Sequence, residues 1–304
     1  SQDIAGPFAR SVRDVAQVAA VLLDVPDDLL GGLRSGALEG RRVAVWRGHL
    51  GADSDPRLTA IMARALKALV SAGATVIDPL ELEWPEAISE ASFAVMLHEF
   101  KADLGRYFSA GSRNRPPLSL AAVIEFNRAN AARSMPWFGQ DLLQLTQAQG
   151  TLSERRYQQA LASGRDRLRR QLRARYQDLE LDAVIALTNA PAWPIDVIGG
   201  DRFTLGSSSL AAISGRPAIS LPAGAVHGLP VGVSLIGTRG EDAALLAMAF
   251  ALESRLPKAP RPTFRTSVEQ SPQAPGNGSA SSGPSARVHQ SIAAAARCGN
   301  NCAR

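Results

Sequence analysis

The stretch PAISLPAGAVHGLPVGVSLIG, residues 217–237, contains two apolar runs separated by a short turn rich in glycine. The runs 217–223 and 229–237 carry the aliphatic side chains typical of buried strands. A Pro-Val-Gly step at 230–232 removes a side chain from the second run, which lets another backbone lie close to it. The segment therefore predicts a pair of strands inside a sheet.

Three further strands are predicted upstream of this pair. LDAVIAL, residues 181–187, is a short apolar run. RRVAVWR (41–47) and ATVIDPLEL (74–82) flank a helix that Asp55-Pro56 caps and Gly73 ends. The apolar face of that helix recurs at helical spacing through Leu58, Ile61, Met62, Ala65 and Leu69. Strand, helix and strand in this order predict a parallel pair and a sheet covered on both faces.

Helices fill most of the remaining chain. Ser11 to Asp14 form an S-x-x-D capping box that begins the first helix. Residues 86–177 are predicted to be mostly helical, with a break at the double proline 116–117. Leu161, Leu168 and Leu172 are the apolar contacts of a strongly charged segment, and 241–254 forms the last helix. The fold class predicted from these elements is α/β.

The composition is that of a folded protein with an unusual end. The chain has 304 residues, 45% of them hydrophobic and 20% charged. Pro, Gly, Ser and Ala dominate the last part, which has almost no large apolar residues and cannot form a core. We therefore predict a folded domain over 1–264 and a disordered low-complexity tail over 265–304.

The net charge of +5 comes almost entirely from arginine, because the chain has only three lysines, Lys67, Lys101 and Lys258. The arginines are scattered or lie on polar helix faces, which favours a solvated surface. A nucleic-acid partner is the alternative, but no aromatic residues interleave with the basic ones. We predict no nucleic-acid partner.

Metal, cofactor and membrane signals are absent from the sequence. Cys298 and Cys302 provide too few thiols for a structural zinc site, and His98-Glu99 does not extend to HExxH because Ala102 occupies the fifth position. No nucleotide-binding glycine loop occurs, and no run reaches the length of a membrane helix. We predict no metal, no cofactor and no membrane segment, and the sequence indicates no compartment.

Two segments are candidates for chemistry. LTNAPAWPIDVIGGD (187–201) leaves a buried strand end and presents Trp193 and Asp196 on a loop. Ligand sites in α/β sheets gather at carboxyl ends of strands, so this loop is either a pocket wall or a tryptophan packed on its own loop. GSSSLAAISG (206–215) is either the start of a helix at 210–214 or a serine nucleophile, although G-x-S-x-G is absent.

Four stretches together resemble the amidase signature family. SQDIAGPFARSVRD (1–14) is similar to its S-x-D-x-x-G-P-x-x-R-[ST]-x-x-D segment, and HEFKADLGRYF (98–108) is similar to a helix of the peptide-amidase-like branch. LDAVIALTNAPAWPID resembles the strand and loop of that branch, and 214–237 resembles the closing G-x-P…GLPVGxQxxG hairpin. The chain departs at Leu187, where the family has Pro, and at Ser234, where it usually has Gln.

The resemblance implies an α/β/α fold with a mixed sheet covered by helices. It implies hydrolysis of a linear amide, either a primary amide or a peptide C-terminal amide, to acid and ammonia by a Ser-cisSer-Lys triad. In the family the triad and the oxyanion loop precede the S-x-D-x-x-G-P segment, so no catalytic residue is assigned in this chain. Trp137, Phe138 and Trp193 are the predicted substrate-pocket residues.

These implications lead to expectations about the chain by itself. We expect it to be the C-terminal portion of an amidase domain that is inactive alone, with a separate N-terminal half as a candidate partner. The alternative is a non-catalytic module that binds amide ligands or pairs with a partner. Without further strands, the segments 181–187 and 217–237 are expected to expose apolar faces and free edges, leaving the fold marginally stable.

Overall fold

A computed structural model of the protein describes residues 1–23, 26–48, 55–110 and 118–258. The helices within these ranges are α1 Val12–Leu23, α2 Pro26–Gly31, α3 Pro56–Ser71, α4 Glu86–Ala110, α5 Leu120–Ala129, α6 Ala131–Ser134, α7 Asp141–Gln147, α8 Arg155–Leu161, α9 Arg167–Asp178, α10 Ser208–Ser214 and α11 Asp242–Glu253. The strands are β1 Arg42–Val45, β2 Thr75–Ile77, β3 Ala183–Leu187, β4 Ala218–Val226 and β5 Leu229–Gly237.

These strands form one mixed sheet in the order β2-β1-β3-β5-β4. β1 pairs in parallel with both β2 and β3, whereas β5 is antiparallel to β3 and to β4. The strands β1, β2 and β3 therefore finish at one end of the sheet, which we call the carboxyl end. Gly237 at the end of β5 pairs with Ala183 at the start of β3, which marks the opposite, amino end. The predicted α/β class with a mixed sheet is confirmed.

The strand-helix-strand unit forms for the local reasons expected from the sequence. The Asp55 carboxylate accepts a hydrogen bond from the Arg57 amide, and a proline at the first position suits the start of α3. At α1, the Asp14 amide donates to the Ser11 hydroxyl, which in turn donates to the Asp14 carboxylate. The capping predictions at both helices are confirmed.

Helices cover both faces of the sheet, because alternate strand residues join two separate cores. Val43, Val45, Ile185 and Leu235 pack on one side with α1, α3 and α11. Ala44, Val184, Ala186 and Ile236 pack on the other side with α9 and α10. This is the α/β/α arrangement, and it leaves every residue of β3 buried.

The charged segment before β3 does not form one continuous helix. A π-helical turn at Ala162–Asp166 joins α8 to α9. Gly164 in that turn faces α4 so closely that a Cβ there would lie 3.0 Å from the Cβ of Ala91. The glycine thus permits the close approach of α4, while the predicted contacts Leu161, Leu168 and Leu172 are all buried.

The expected exposure of the strands is wrong for 181–187. β3 lies between β1 and β5, and it is buried on both faces by the two cores. The expectation applies better to β4, which is an edge of the described sheet and has exposed residues at Ala218, Ser220 and Pro222. The strand predicted at 74–82 is also shorter than expected, since β2 ends at Ile77.

Several predictions concern undescribed parts of the chain. The tail 265–304 with its boundary, both cysteines and the proline pair at 116–117 lie outside the described residues. Among the described helices, none combines the length and apolar character needed to cross a membrane.

Candidate functional site

The carboxyl end of β3 brings three chain segments into close contact. The Thr188 amide, directly after β3, donates to the Gly232 carbonyl at 2.8 Å. A Cβ at Gly232 would lie 3.0 Å from both the Thr188 hydroxyl and the Leu221 carbonyl oxygen. The glycine therefore gives the close backbone approach that the Pro-Val-Gly step predicts.

Three hydroxyl groups meet at this point, and we call them the hydroxyl cluster: Thr188, Ser220 and Ser234. The Ser234 oxygen lies 2.8 Å from that of Thr188 and 2.9 Å from that of Ser220. Ser234 is only 6% exposed, whereas Ser220 lies on an exposed position of β4. The departure from the family's Gln at position 234 thus places a small hydroxyl at the centre of a polar network.

The hydroxyl cluster is suited to hydrogen bonding rather than to nucleophilic attack. Each hydroxyl can both donate and accept a hydrogen bond, so Ser220 can offer either a donor or an acceptor to a polar ligand. An activated serine needs a base beside it, whereas the hydrogen bonds of the cluster join hydroxyl to hydroxyl. The arrangement can therefore orient a polar group at the sheet's carboxyl end.

A loop folds over the same end of the sheet, between Asn189 and Gly206, which form an isolated antiparallel bridge. Within it, the Trp193 indole donates to the Asp201 carboxylate at 2.9 Å, and its ring meets Phe203 edge-on at 6.3 Å. Trp193 is thus held by its own loop, as one of the two interpretations from the sequence required. The half-buried ring still lines the loop surface.

Asp196, the other residue singled out on this loop, stabilises a turn. Its carboxylate accepts the amides of Ile198 and Gly199 at 3.0 and 2.8 Å. These two bonds, that from Gly199 first, lower the pKa of Asp196. The side chain stays ionised and is engaged by its own backbone, which makes it a turn-forming residue rather than a general base.

The tip of the β4–β5 hairpin contacts a charged pair at the same end of the sheet. His227 and Gly228 both have positive φ, 50° and 76°, as a two-residue type I′ turn requires. The His227 Nε2 lies 2.7 Å from an Arg57 nitrogen, and Arg57 also pairs with Asp55 at 2.8 Å. The side-chain hydrogen bond from Arg57 lowers the pKa of Asp55 to about 2.

The predicted pocket residues occupy two different parts of the fold. Trp193 lies on the loop after β3, while Trp137 and Phe138 lie between α6 and α7. Trp137 is 71% exposed and Phe138 is 82% exposed. Both are open to a ligand or a partner, and their part in a pocket with Trp193 stays a prediction.

The serine-rich segment forms a helix start. α10 begins at Ser208, with Ser207 before it and no side-chain cap bond. The Ser207 hydroxyl instead donates to the Thr188 carbonyl, at 3.4 Å, and is 3% exposed. The helix expected at 210–214 is confirmed.

The lysines are placed away from the hydroxyl cluster's hydrogen bonds. Lys101 on α4 donates to the carbonyls of Gln147 and Gln149, at the end of α7. Lys67 and Lys258 are exposed. His98 is a core residue, 1% exposed, with its Nδ1 against the Ala94 carbonyl at 2.7 Å. Among the described residues, no group of three or more His, Cys, Asp and Glu could hold a metal ion.

Sequence reasoning missed the hydroxyl cluster because its members come from β4, β5 and the end of β3. Part of the cluster could have been predicted, because a hairpin over 217–237 places Ser220 opposite Ser234. Thr188 could be added only by knowing that β5 also pairs with β3.

Comparison with known proteins identifies the family to which this chain belongs. The sequence matches the Amidase family over residues 1–246. The chain belongs to this family, and the resemblance drawn from its four motifs is confirmed.

Individual relatives cover the same region. The crystal structure of the peptide amidase from Stenotrophomonas maltophilia is 33% identical, superposes with a TM-score of 0.74, and aligns 87% of this chain with 56% of its own. Mandelamide hydrolase of Pseudomonas putida is 29% identical over 284 residues, 88% of this chain and 53% of that protein. One component of the glutamyl-tRNA(Gln) amidotransferase of Azotobacter vinelandii is 28% identical over 82% of this chain and 54% of that protein. The chain thus spans about half the length of the relatives it matches.

Proposed function

We propose that this chain takes part in the hydrolysis of a linear amide to an acid and ammonia, as the C-terminal part of an amidase. The observation that carries the proposal is the Amidase match over residues 1–246, together with the similarity to a peptide amidase at 33% identity. A peptide C-terminal amide or another primary amide is the proposed substrate class.

We propose further that the Ser-cisSer-Lys triad lies in a segment that precedes the S-x-D-x-x-G-P motif. The three lysines support this, because Lys101 is bound to two carbonyls and Lys67 and Lys258 are exposed. A lysine that acts as a base must be neutral, which requires burial or a nearby cation rather than an exposed position.

The proposed substrate wall consists of Trp193, Trp137 and Phe138. Trp193 is fixed by Asp201 and Phe203, which lowers the entropy lost when a substrate packs against it. The exposed rings of Trp137 and Phe138 can bury apolar area on contact with a peptide.

The test is co-expression of this chain with the part of the Stenotrophomonas maltophilia peptide amidase that precedes its matched region. Ammonia release from a peptide C-terminal amide is measured for each part alone and for the pair. We expect release from the pair only. Release from this chain alone would contradict the external triad, and a folded pair that hydrolyses no primary amide would contradict the proposed reaction.

The pocket residues are tested in the active pair. Trp193→Ala, Trp137→Ala and Phe138→Ala are each expected to raise KM severalfold with a smaller change in kcat. Tyr107→Ala is the matched control, because Tyr107 is an aromatic residue 74% exposed on α4 and outside the proposed wall. Unchanged kinetics for a wall variant would remove that residue from the pocket.

A second function, pairing with a partner without catalysis, is favoured by exposed apolar side chains. Ile4, Phe8, Ile195 and Ile198 are each more than 90% exposed. Exposed apolar residues that cluster on a surface commonly mark contacts with another protein, and Ile195 and Ile198 are three positions apart on one loop. Co-elution of the two parts without ammonia release would favour this function over hydrolysis.

A further inference from the structure

Four arginines from three separate segments line one cleft of about 500 Å³ at the amino end of the sheet. Arg169 and Arg173 lie one turn apart on α9, Arg216 follows α10, and Arg239 follows β5. Tyr176, one turn beyond Arg173, also lines the cleft. The sequence predicts a solvated arginine surface, and the fold brings these four arginines together from distant segments around one cleft.

Two of the arginines are held in place by backbone carbonyls. The Arg169 Nε donates to the Ser214 carbonyl at 2.9 Å, and an Arg216 terminal nitrogen donates to the Gly237 carbonyl at 3.0 Å. The Arg216 guanidinium lies 3.7 Å from the centre of the Tyr176 ring. These contacts fix both side chains, and each guanidinium keeps further N–H donors outside them.

The cleft holds more positive than negative charge. Burial first, and then repulsion from Arg165 and Arg239, lowers the pKa of Arg169. The carboxylate that acts on Arg169 is Asp166, which also pairs with Arg165 at 2.9 Å, and the one that acts on Arg216 is Glu241. Among the described residues that line the cleft, four are arginines and none is a carboxylate, which favours an anion there.

We propose that this cleft binds the phosphate groups of a small phosphorylated ligand. Guanidinium groups match phosphate oxygens with paired N–H donors, and several of them together suit a ligand with more than one negative charge. Thr238, a further lining residue, adds a hydroxyl donor.

The cleft is separate from the hydroxyl cluster at the carboxyl end of the sheet. Gly232 contacts the hydroxyl cluster, while the Gly237 carbonyl binds Arg216. These two glycines are five positions apart on β5, which corresponds to about 17 Å along a strand. The phosphate site is therefore a function of this chain beyond amide hydrolysis.

The test is isothermal titration of the full chain with inorganic pyrophosphate. The test variant is Arg173→Gln with Arg239→Gln, because both side chains are exposed and substitution should leave the fold intact. The matched control is Arg156→Gln with Arg170→Gln, two exposed arginines outside the cleft, which changes the net charge equally. Circular dichroism spectra establish that all three proteins are folded alike.

We expect the test variant to weaken pyrophosphate binding by about 10- to 100-fold, since a hydrogen bond to a charged group accounts for about tenfold. The control should bind as the unaltered chain does. Citrate serves as the second probe, and tighter binding of pyrophosphate than of citrate supports phosphate as the recognised group. No binding by the unaltered chain, equal loss in both variants, or a preference for citrate would overturn the proposal.

Discussion

Tyr176→Phe is the substitution that tests most directly how α9 is attached to β5 of the sheet. The Tyr176 hydroxyl donates to the Ile236 carbonyl at 2.7 Å, and the residue is 8% exposed. Phenylalanine keeps the ring, and with it the stacking of Arg216 and the packing against the core. The change therefore removes the hydrogen bond to Ile236, a longer contact of 3.5 Å with the Gly237 carbonyl, and the polar contact between the hydroxyl and Arg216.

The expected cost follows mainly from the bond to the Ile236 carbonyl, which is the shortest of these contacts. A buried hydrogen bond contributes about 0.5–1.5 kcal/mol, and leaving its acceptor unpaired adds to the loss, so we expect about 1–2 kcal/mol of destabilisation. In a domain of this size each kcal/mol corresponds to a fall in Tm of about 2–4 °C. Burial raises the pKa of Tyr176, so the hydroxyl remains a donor throughout the neutral range. The cost should accordingly be the same at about pH 6 and about pH 8.

Urea unfolding followed by circular dichroism measures the effect. Tyr107→Phe is the control, since Tyr107 is 74% exposed and loses only a solvated hydroxyl. We expect the control to match the unaltered chain within experimental error. Equal stability of Tyr176→Phe and the unaltered chain, or an equal loss in both variants, would refute the assigned role of this bond.

Two glycine substitutions should have opposite signs, and one aspartate should make stability depend on pH. Gly105→Ala in α4 places its new Cβ where no atom lies within 4 Å, and it should stabilise the protein by about 0.5–1 kcal/mol in thermal unfolding. Gly164→Ala places its Cβ 3.0 Å from the Ala91 Cβ and should destabilise the protein. A more stable Gly164→Ala variant would contradict the close packing of α4. Asp55→Ala should cost about 1 kcal/mol as a lost helix cap. Because Arg57 lowers the pKa of Asp55 to about 2, its contribution should be present above about pH 4 and decline as the pH falls from about 4 to about 2; the decline should be absent in Asp55→Ala.

Much of the fold could be predicted because its signals are local. The capping box at Ser11 and the Asp55-Pro56 start each specify a helix within a few residues. The apolar runs at 181–187 and 217–237 specify strands without knowledge of their neighbours. What these signals cannot give is strand order, and the expected exposure of β3 failed because its burial depends on β1 and β5 flanking it.

The two sites were harder to predict because neither is local. The hydroxyl cluster needs Thr188, Ser220 and Ser234 brought together by two strand pairings, and no motif in the chain records that meeting. The motifs that indicated the family, such as the one at 214–237, instead specify backbone geometry. Gly232 leaves room for Thr188, and the hairpin turn requires residues with positive φ.

The arginines show why spacing within one helix is not enough. Arg169 and Arg173 sit at i and i+4, which from the sequence is indistinguishable from an ordinary solvated helix face. Arg216 and Arg239 face them because α10 and β5 both end at the amino end of the sheet. A solvated helix face would carry carboxylates at a similar spacing to balance its arginines, whereas Asp178 at the end of α9 is the one carboxylate within that helix. An excess of charge held by backbone carbonyls on both sides of a cleft is a feature of the folded chain, and it is there that a ligand should be sought first.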